Sequence, residues 1–319
     1  ALPICLVLLA LCTLLATCAQ NPVTGNPNLV MMSEQEEVRV GQAEDANVRK
    51  QYGECRCPAL QAYVNQVGQK LARASHRPHL NFRFTVVDSP EINAFALPGG
   101  YVYVTRGILA YMNSEAELAG VLGHEIGHVT ARHSVQQLSA ANAANIGATL
   151  ASILVPGLRN DVAQNLVGLL GNALLSGYGR EHELEADRLG AEYLARTGYE
   201  PQAMIAVVGV LKNQELFDAE VAKQEGREPR RYHGMFASHP DNDTRLQQVI
   251  READKFRQAG HTENRDEFLR RLDRTVFGDS PEQGFVRQGT FYHPSLGLAM
   301  RFPKGWRDRK STRLNSSHV

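Results

Sequence analysis

His124-Glu125-Ile126-Gly127-His128 sets two histidines four residues apart, with a glutamate directly after the first. On a helix, residues at that spacing project from one face about a turn apart, so both imidazoles can reach one metal ion. Zinc suits such a pair, and Glu125 stands close enough to the attacking water to act as general base. A catalytic zinc takes three protein ligands and keeps a fourth position open. The third is expected in Arg180-Glu181-His182-Glu183-Leu184-Glu185-Ala186-Asp187, where three glutamates and one histidine compete. Wound as a helix, Glu181, Glu185, Arg188 and Glu192 form a wholly charged stripe that reads as a solvated face. Glu183, Asp187, Gly190, Ala191 and Leu194 form another stripe that turns small and apolar downstream, the inward one. An inward carboxylate needs a partner, and a metal supplies it. Glu183 is therefore the expected third ligand, with His182 the alternative. Asp187, one turn on, is placed to accept the other N–H of a ligating histidine.

Those residues require two helices facing each other. Ser114-Glu115-Ala116-Glu117 fits a capping box, and Leu118, Val121, Leu122, Ile126 and Val129 follow at helical spacing. The pattern predicts a helix from Ser114 to about His133. A second is predicted over 180–197, ended by Gly198, and a third from Pro201 to Leu216. Residues 219–237 read as charged and turn-like, and a further helix over 241–257 closes the domain. Upstream, 34–76 reads as mostly helical, with Ala59, Leu60, Tyr63, Val64, Val67 and Leu71 recurring at three and four. At 82–90 the pattern changes: Phe82, Phe84 and Val86 alternate with Arg83 and Thr85, as in a strand. The runs INAFAL and YVYVT flank Pro98-Gly99-Gly100, which reads as a hairpin turn. A small antiparallel sheet is expected, and an extended polypeptide would pair with its edge at Asn93, Ala94, Phe95 and Ala96. Residues 135–176, broken at Pro156-Gly157, read as two soft, close-packed helices.

The expected fold class is therefore α+β. A mainly helical domain with a small antiparallel sheet spans 30–258, followed by a short, truncated β-rich module at 261–308. No repeat of solenoid or propeller length is evident. Thirty-four basic residues balance thirty-four acidic ones, which removes the electrostatic footprint of a nucleic-acid binder, and 7% aromatics removes a base-stacking surface. Residues 2–19 carry no charge, and the first basic residue is Arg39. Residues 1–19 are accordingly expected to be an export signal. Leu15-Ala16-Thr17-Cys18 resembles a lipobox, which makes Cys18 a candidate lipidation site and membrane attachment point. Cleavage after Ala19, or a retained anchor helix, are the alternatives. Cys55 and Cys57 lie two apart, a spacing that rarely bridges without strain, so a bond between them is disfavoured, with a disulfide to another chain, a free thiol pair or no role at all left open. Residues 309–319 are polar and aperiodic and read as a non-native tail.

HEIGHVTARH, REHELEAD and Ser238-His239-Pro240 together resemble the zinc metallopeptidases related to the heat-shock membrane protease HtpX and the CAAX prenyl endopeptidases, in particular their exported, BepA-like branch. The resemblance covers roughly residues 30–255. It implies a zincin-type fold, one Zn2+ per chain held by His124, His128 and Glu183, Glu125 as catalytic base, and Asp187 behind a ligand. It also implies that His239 lies near the metal and can fill the fourth zinc position, holding the enzyme latent. His239 and Arg245 are the candidate donors to an oxyanion. The implied activity is peptide-bond hydrolysis on unfolded or unassembled proteins of the bacterial envelope, in the periplasm or anchored at the outer membrane. A zinc-bound chaperone or assembly factor with little proteolysis is the alternative.

Overall fold

The computed structural model describes residues 18–30, 32–140, 178–224, 242–256, 262–287 and 289–303. The expectations for the export signal, for the soft helix pair at 135–176, for His239 and for the tail fall wholly or mostly outside those residues.

Strands β1 (Cys18–Gln20) and β2 (Pro27–Leu29) pair antiparallel ahead of helices α1 (Glu34–Tyr52) and α2 (Pro58–Arg73). Then come β3 (Arg83–Val87), β4 (Ala94–Leu97), β5 (Tyr101–Thr105), the single turn α3 (Arg106–Leu109) and the long α4 (Glu115–Thr130). Helices α5 (Arg180–Thr197), α6 (Ala203–Gln224), α7 (Asn242–Asp254) and α8 (Arg265–Leu272) follow. Strands β6 (Phe285–Arg287), β7 (Thr290–His293) and β8 (Leu298–Arg301) come last. This is the expected α+β architecture, with differences of detail. Helix α6 runs on to Gln224, because Glu220, Ala222 and Lys223 are good helix formers and neither glycine nor proline falls between Leu216 and Gln224. Helix α8 had no counterpart in the sequence reading.

The sheet order is β3-β5-β4. Strands β4 and β5 form the expected hairpin around Pro98-Gly99-Gly100, where Gly99 and Gly100 adopt φ of 78° and 97°, which only glycine takes without strain. Strand β3, however, joins β5 in parallel, with Val86 opposite Val104, so the sheet is mixed and not purely antiparallel. The chain leaves β3 and turns into β4, and the hairpin then returns β5 along β3's own direction. All of β5 is buried, because both faces of the sheet are covered. One face meets the main core of α2 and α4. Val48 and Tyr52 of α1 cover the other face, against Val87, Leu97, Tyr101 and Tyr103.

Helix α4 runs through the centre of the core and is buried along its whole length. Ser114 caps it, accepting from the Glu117 N–H, while the Glu117 carboxylate accepts from the Asn113 N–H. Leu118, Leu122 and Ile126 are fully buried, each contributing roughly 1.5–3 kcal/mol of apolar burial. The opposite side of α4 is lined with glycine. A Cβ on Gly127 would stand 3.1 Å from the Ala186 Cα, and one on Gly123 3.3 Å from the Gly190 Cα. Small residues on both helices thus let α5 lie almost backbone to backbone with α4. Gly198, in the left-handed conformation at φ 76°, ends α5 as expected.

Cys55 and Cys57 are joined in a disulfide, against expectation. Their Cα atoms stand 5.2 Å apart, well within bridging range. Glu54 pairs with Val87 at the sheet margin, and the chain bends at Arg56, which brings the two cysteines together. The segment after α8 is tied to the core. The Ser280 hydroxyl donates to Asp88, Arg106 donates to the Val276 carbonyl, and Gln283 to the Tyr52 carbonyl. Strands β6-β7-β8 form a separate sheet, and β8 is exposed throughout. Among the described residues, no helix is long and apolar enough to cross a membrane.

Candidate metal centre

The close approach of α4 and α5 decides what faces what. His124 and His128 point from α4 toward Glu183 on α5, and all three are buried. The two Nε2 atoms lie 3.0 Å apart. Glu183 Oε1 stands 3.4 Å from His128 Nε2, and Oε2 stands 3.6 Å from His124 Nε2. These three side chains could hold a metal ion, with their donor atoms within 4.8 Å of one another. Ligands about 2.0–2.1 Å from a tetrahedral ion stand about 3.3 Å apart, so the observed separations bracket what a small divalent cation requires. Burial holds the His128 ring well below its usual pKa, despite the opposing pull of Glu183. Its imidazole is therefore neutral, the form that ligates a metal. Glu125, on the same turn of α4, is fully buried.

The next layer is also built from α5 and α7. Asp187 Oδ1 lies 2.8 Å from His124 Nδ1. Arg245, from α7, donates through Nε and Nη2 to the two Asp187 oxygens, at 2.8 Å each, and its Nη1 lies 3.2 Å from Glu183 Oε2. Burial alone would raise the Asp187 pKa; the Arg245 charge and its hydrogen bonds, helped by His124, more than offset this and hold it low. Arg245 was a candidate oxyanion donor. Its guanidinium instead faces the two carboxylates, because buried acids on adjacent turns of α5 demand a buried cation.

His182, the alternative ligand, lies outside the metal-holding set. Its ring stacks on His133 at 4.2 Å between centroids, and burial pushes it down to about 4. Glu185, expected on a solvated stripe, turns in, with Oε2 3.1 Å from His133 Nε2. His133 itself was missed as a functional residue, although it closes the HEIGHVTARH motif. Tyr178 stacks on His128 at 3.8 Å and shares a 2.7 Å hydrogen bond with Ser134. No helical spacing in the sequence ties Tyr178 to α4.

Strand β4 packs on α4 and forms one edge of its sheet, so Ala94, Phe95 and Ala96 run beside the helix that carries the histidines, with Asn93 buried just ahead of them. The backbone of Cys18 pairs with Leu29. His239 is outside the described residues.

The model of "Peptidase family M48" matches residues 58–253. The chain belongs to that family. The M48 match contains α2 through α7 almost entirely, and with them every residue of the buried cluster. The chain is similar to the beta-barrel assembly-enhancing protease of Escherichia coli K12, 30% identical over 206 residues, which cover 63% of this chain and 40% of that protein. It is also similar to the mitochondrial metalloendopeptidase OMA1 of Schizosaccharomyces pombe, 32% identical over 52% of this chain and 49% of that one. A third M48-like relative is the metalloprotease YcaL of E. coli K12, 28% identical over 58% of this chain and 69% of that protein. The chain thus spans about two fifths of the first relative's length.

Proposed function

We propose that this chain is a zinc-dependent endopeptidase of the bacterial cell envelope that cleaves unfolded or unassembled polypeptides. The observation that carries the reading is the convergence of His124, His128 and Glu183, with Glu125 buried on the same helical turn. Family membership and relatives named as metalloproteases support it. In this reading the three side chains would hold one zinc ion, which when bound would supply Lewis-acid polarisation of the scissile carbonyl and a more acidic attacking water. Glu125 takes the proton from that water and passes it to the leaving amine. Asp187 holds the His124 ring so that its Nε2 faces the other candidate ligands, and Arg245 keeps Asp187 ionised and holds Glu183 in place.

An extended substrate would add as a strand along β4, at Asn93 to Ala96, which presents the scissile bond to the adjacent face of α4. That mode reads backbone more than side chains and suits unfolded protein. The catalytic unit is assigned to 30–258, with 261–308 as an appended module. Export through residues 1–19, anchoring through Cys18, and latency through His239 at the fourth zinc position complete the proposal.

The test is casein hydrolysis and zinc content for the purified wild type, Glu125→Gln and His239→Ala. Zinc-dependent cleavage that vanishes in Glu125→Gln is the expected result. Cleavage by His239→Ala alone would assign latency to His239. Bound zinc with no cleavage by any variant would overturn the peptidase reading.

A further inference from the structure

The cluster behind His128 is not used by the chemistry above. His133 is fully buried, its Nδ1 lies 2.9 Å from His128 Nδ1, and its Nε2 lies 3.1 Å from Glu185 Oε2. Two ring nitrogens at hydrogen-bond distance require one to donate and the other to accept. His128 turns its Nε2 toward Glu183 and His124, so a metal there takes the Nε2 lone pair and the ring proton must sit on Nδ1. That proton is donated to His133 Nδ1. The proton of His133 is then on Nε2, where it is donated to the Glu185 carboxylate. Each link fixes the next, and the row leads from the metal face of His128 out to a carboxylate.

The local backbone is organised to make this row. Arg132 adopts φ 62°, a left-handed conformation that non-glycine residues avoid, immediately before His133. It is held there by a 3.1 Å bond from its Nε to the buried Glu37 and a 2.7 Å bond to the Met32 carbonyl. The reversal at Arg132 folds His133 back under His128. The His182 ring covers one face of His133, and the Tyr178 ring covers His128. Both imidazoles are thereby confined to one orientation.

We propose that His133 is a positioning residue for the metal centre, which orients and polarises His128 through Nδ1 and is itself anchored by Glu185. The two ligating histidines are then supported differently: His124 directly by a carboxylate, Asp187, and His128 by a carboxylate acting through a second imidazole. This rests on the reading of His124, His128 and Glu183 as the zinc site.

Zinc dissociation constants, measured by chelator competition, test the proposal, alongside the melting temperature of the zinc-free protein. His133→Phe keeps the ring stacking and removes the acceptor. It is expected to weaken zinc binding by about 10–100-fold, the usual effect of removing a partner behind a ligand. His133→Asn offers an amide oxygen in the place of Nδ1 and is expected to recover most of that loss. Glu185→Gln still accepts from His133 but without charge, and should weaken binding measurably, by about tenfold. Glu181→Gln, exposed on the same helix, should leave it unchanged. A His133→Phe protein that binds zinc as the wild type does would overturn the proposal. So would a loss that His133→Asn does not recover, since His133 would then act by packing. Should His133→Phe not fold, Glu185→Gln decides alone, and wild-type affinity in it overturns the relay. A wild type that binds no zinc overturns the zinc-site reading itself, and this proposal with it.

Discussion

Two buried carboxylates bracket the central helix system, and their surroundings differ. Glu115, at the N-terminal end of α4, accepts from the Tyr63 hydroxyl, from the Tyr199 hydroxyl at 2.6 Å and from the Asn264 amide at 3.0 Å. Its partners are neutral donors drawn from α2, the turn after α5 and the cap of α8. Burial, and then the Glu115 hydrogen bond, push both tyrosines well above the ordinary phenol range, so they stay protonated as donors. Glu183, facing the other end of α4, meets the Nε2 atoms of two imidazoles and the guanidinium of Arg245. The first carboxylate is a clasp whose hydrogen bonds all point inward to it. The second belongs to a set of ring nitrogens and carboxylate oxygens that converge on one point, the arrangement a metal ion could hold together. Burial of an acid does not by itself mark a functional site; the donor or acceptor character of its neighbours does.

The strongest way to break this comparison is at the metal end. His124→Ala should lose zinc and with it all peptidase activity, and Glu125→Gln should lower activity by roughly 10²–10⁴-fold with zinc retained. Zinc analysis beside a peptide-hydrolysis assay separates the two. At the clasp the expected effect is on stability only. Glu115→Ala strands two buried hydroxyls and should cost about 1–3 kcal/mol in denaturant unfolding, while zinc affinity stays at the wild-type value. A large fall in zinc affinity there would mean that the two carboxylates are one system. Tyr199→Phe removes a single bond to Glu115 and should cost about 1 kcal/mol.

The smallest effect is expected at Glu117, one turn into α4. Burial raises its pKa, with the Asn113 N–H only partly compensating. A carboxyl with a raised folded pKa disfavours folding once pH exceeds its unfolded pKa. Glu117→Gln keeps an acceptor for Asn113. It should therefore raise the melting temperature slightly at neutral pH and lose that advantage in acid. A lower melting temperature at neutral pH would show that the charge at the helix N-terminus outweighs its desolvation.

Much of the centre was legible in the residue order. The i, i+4 histidines, the Ser114 cap, and the separation of an inward from a charged stripe on α5 are local periodicities, and local geometry fixes them. The stripe argument also shows where periodicity runs out. It set Glu185 in solvent, whereas that side chain reaches back to His133, a residue brought near only by the reversal at Arg132. Arg245 was recognised as important but given the wrong partner, because its place opposite Asp187 depends on how α7 packs on α5. The parallel pairing of β3 with β5 and the Cys55–Cys57 bond escaped for the same reason.

The sequence alone therefore determined the two central helices and the residue types they carry: both are capped or glycine-ended, each with one face of candidate metal-binding side chains, because those features repeat within a few residues. The tertiary structure decided which faces meet. Gly123 and Gly127 against Ala186 and Gly190 let α4 and α5 close to near backbone contact. That contact between residues some sixty apart in the chain sets the spacing of the three donor atoms, selects Glu183 over His182, and encloses His133 behind them.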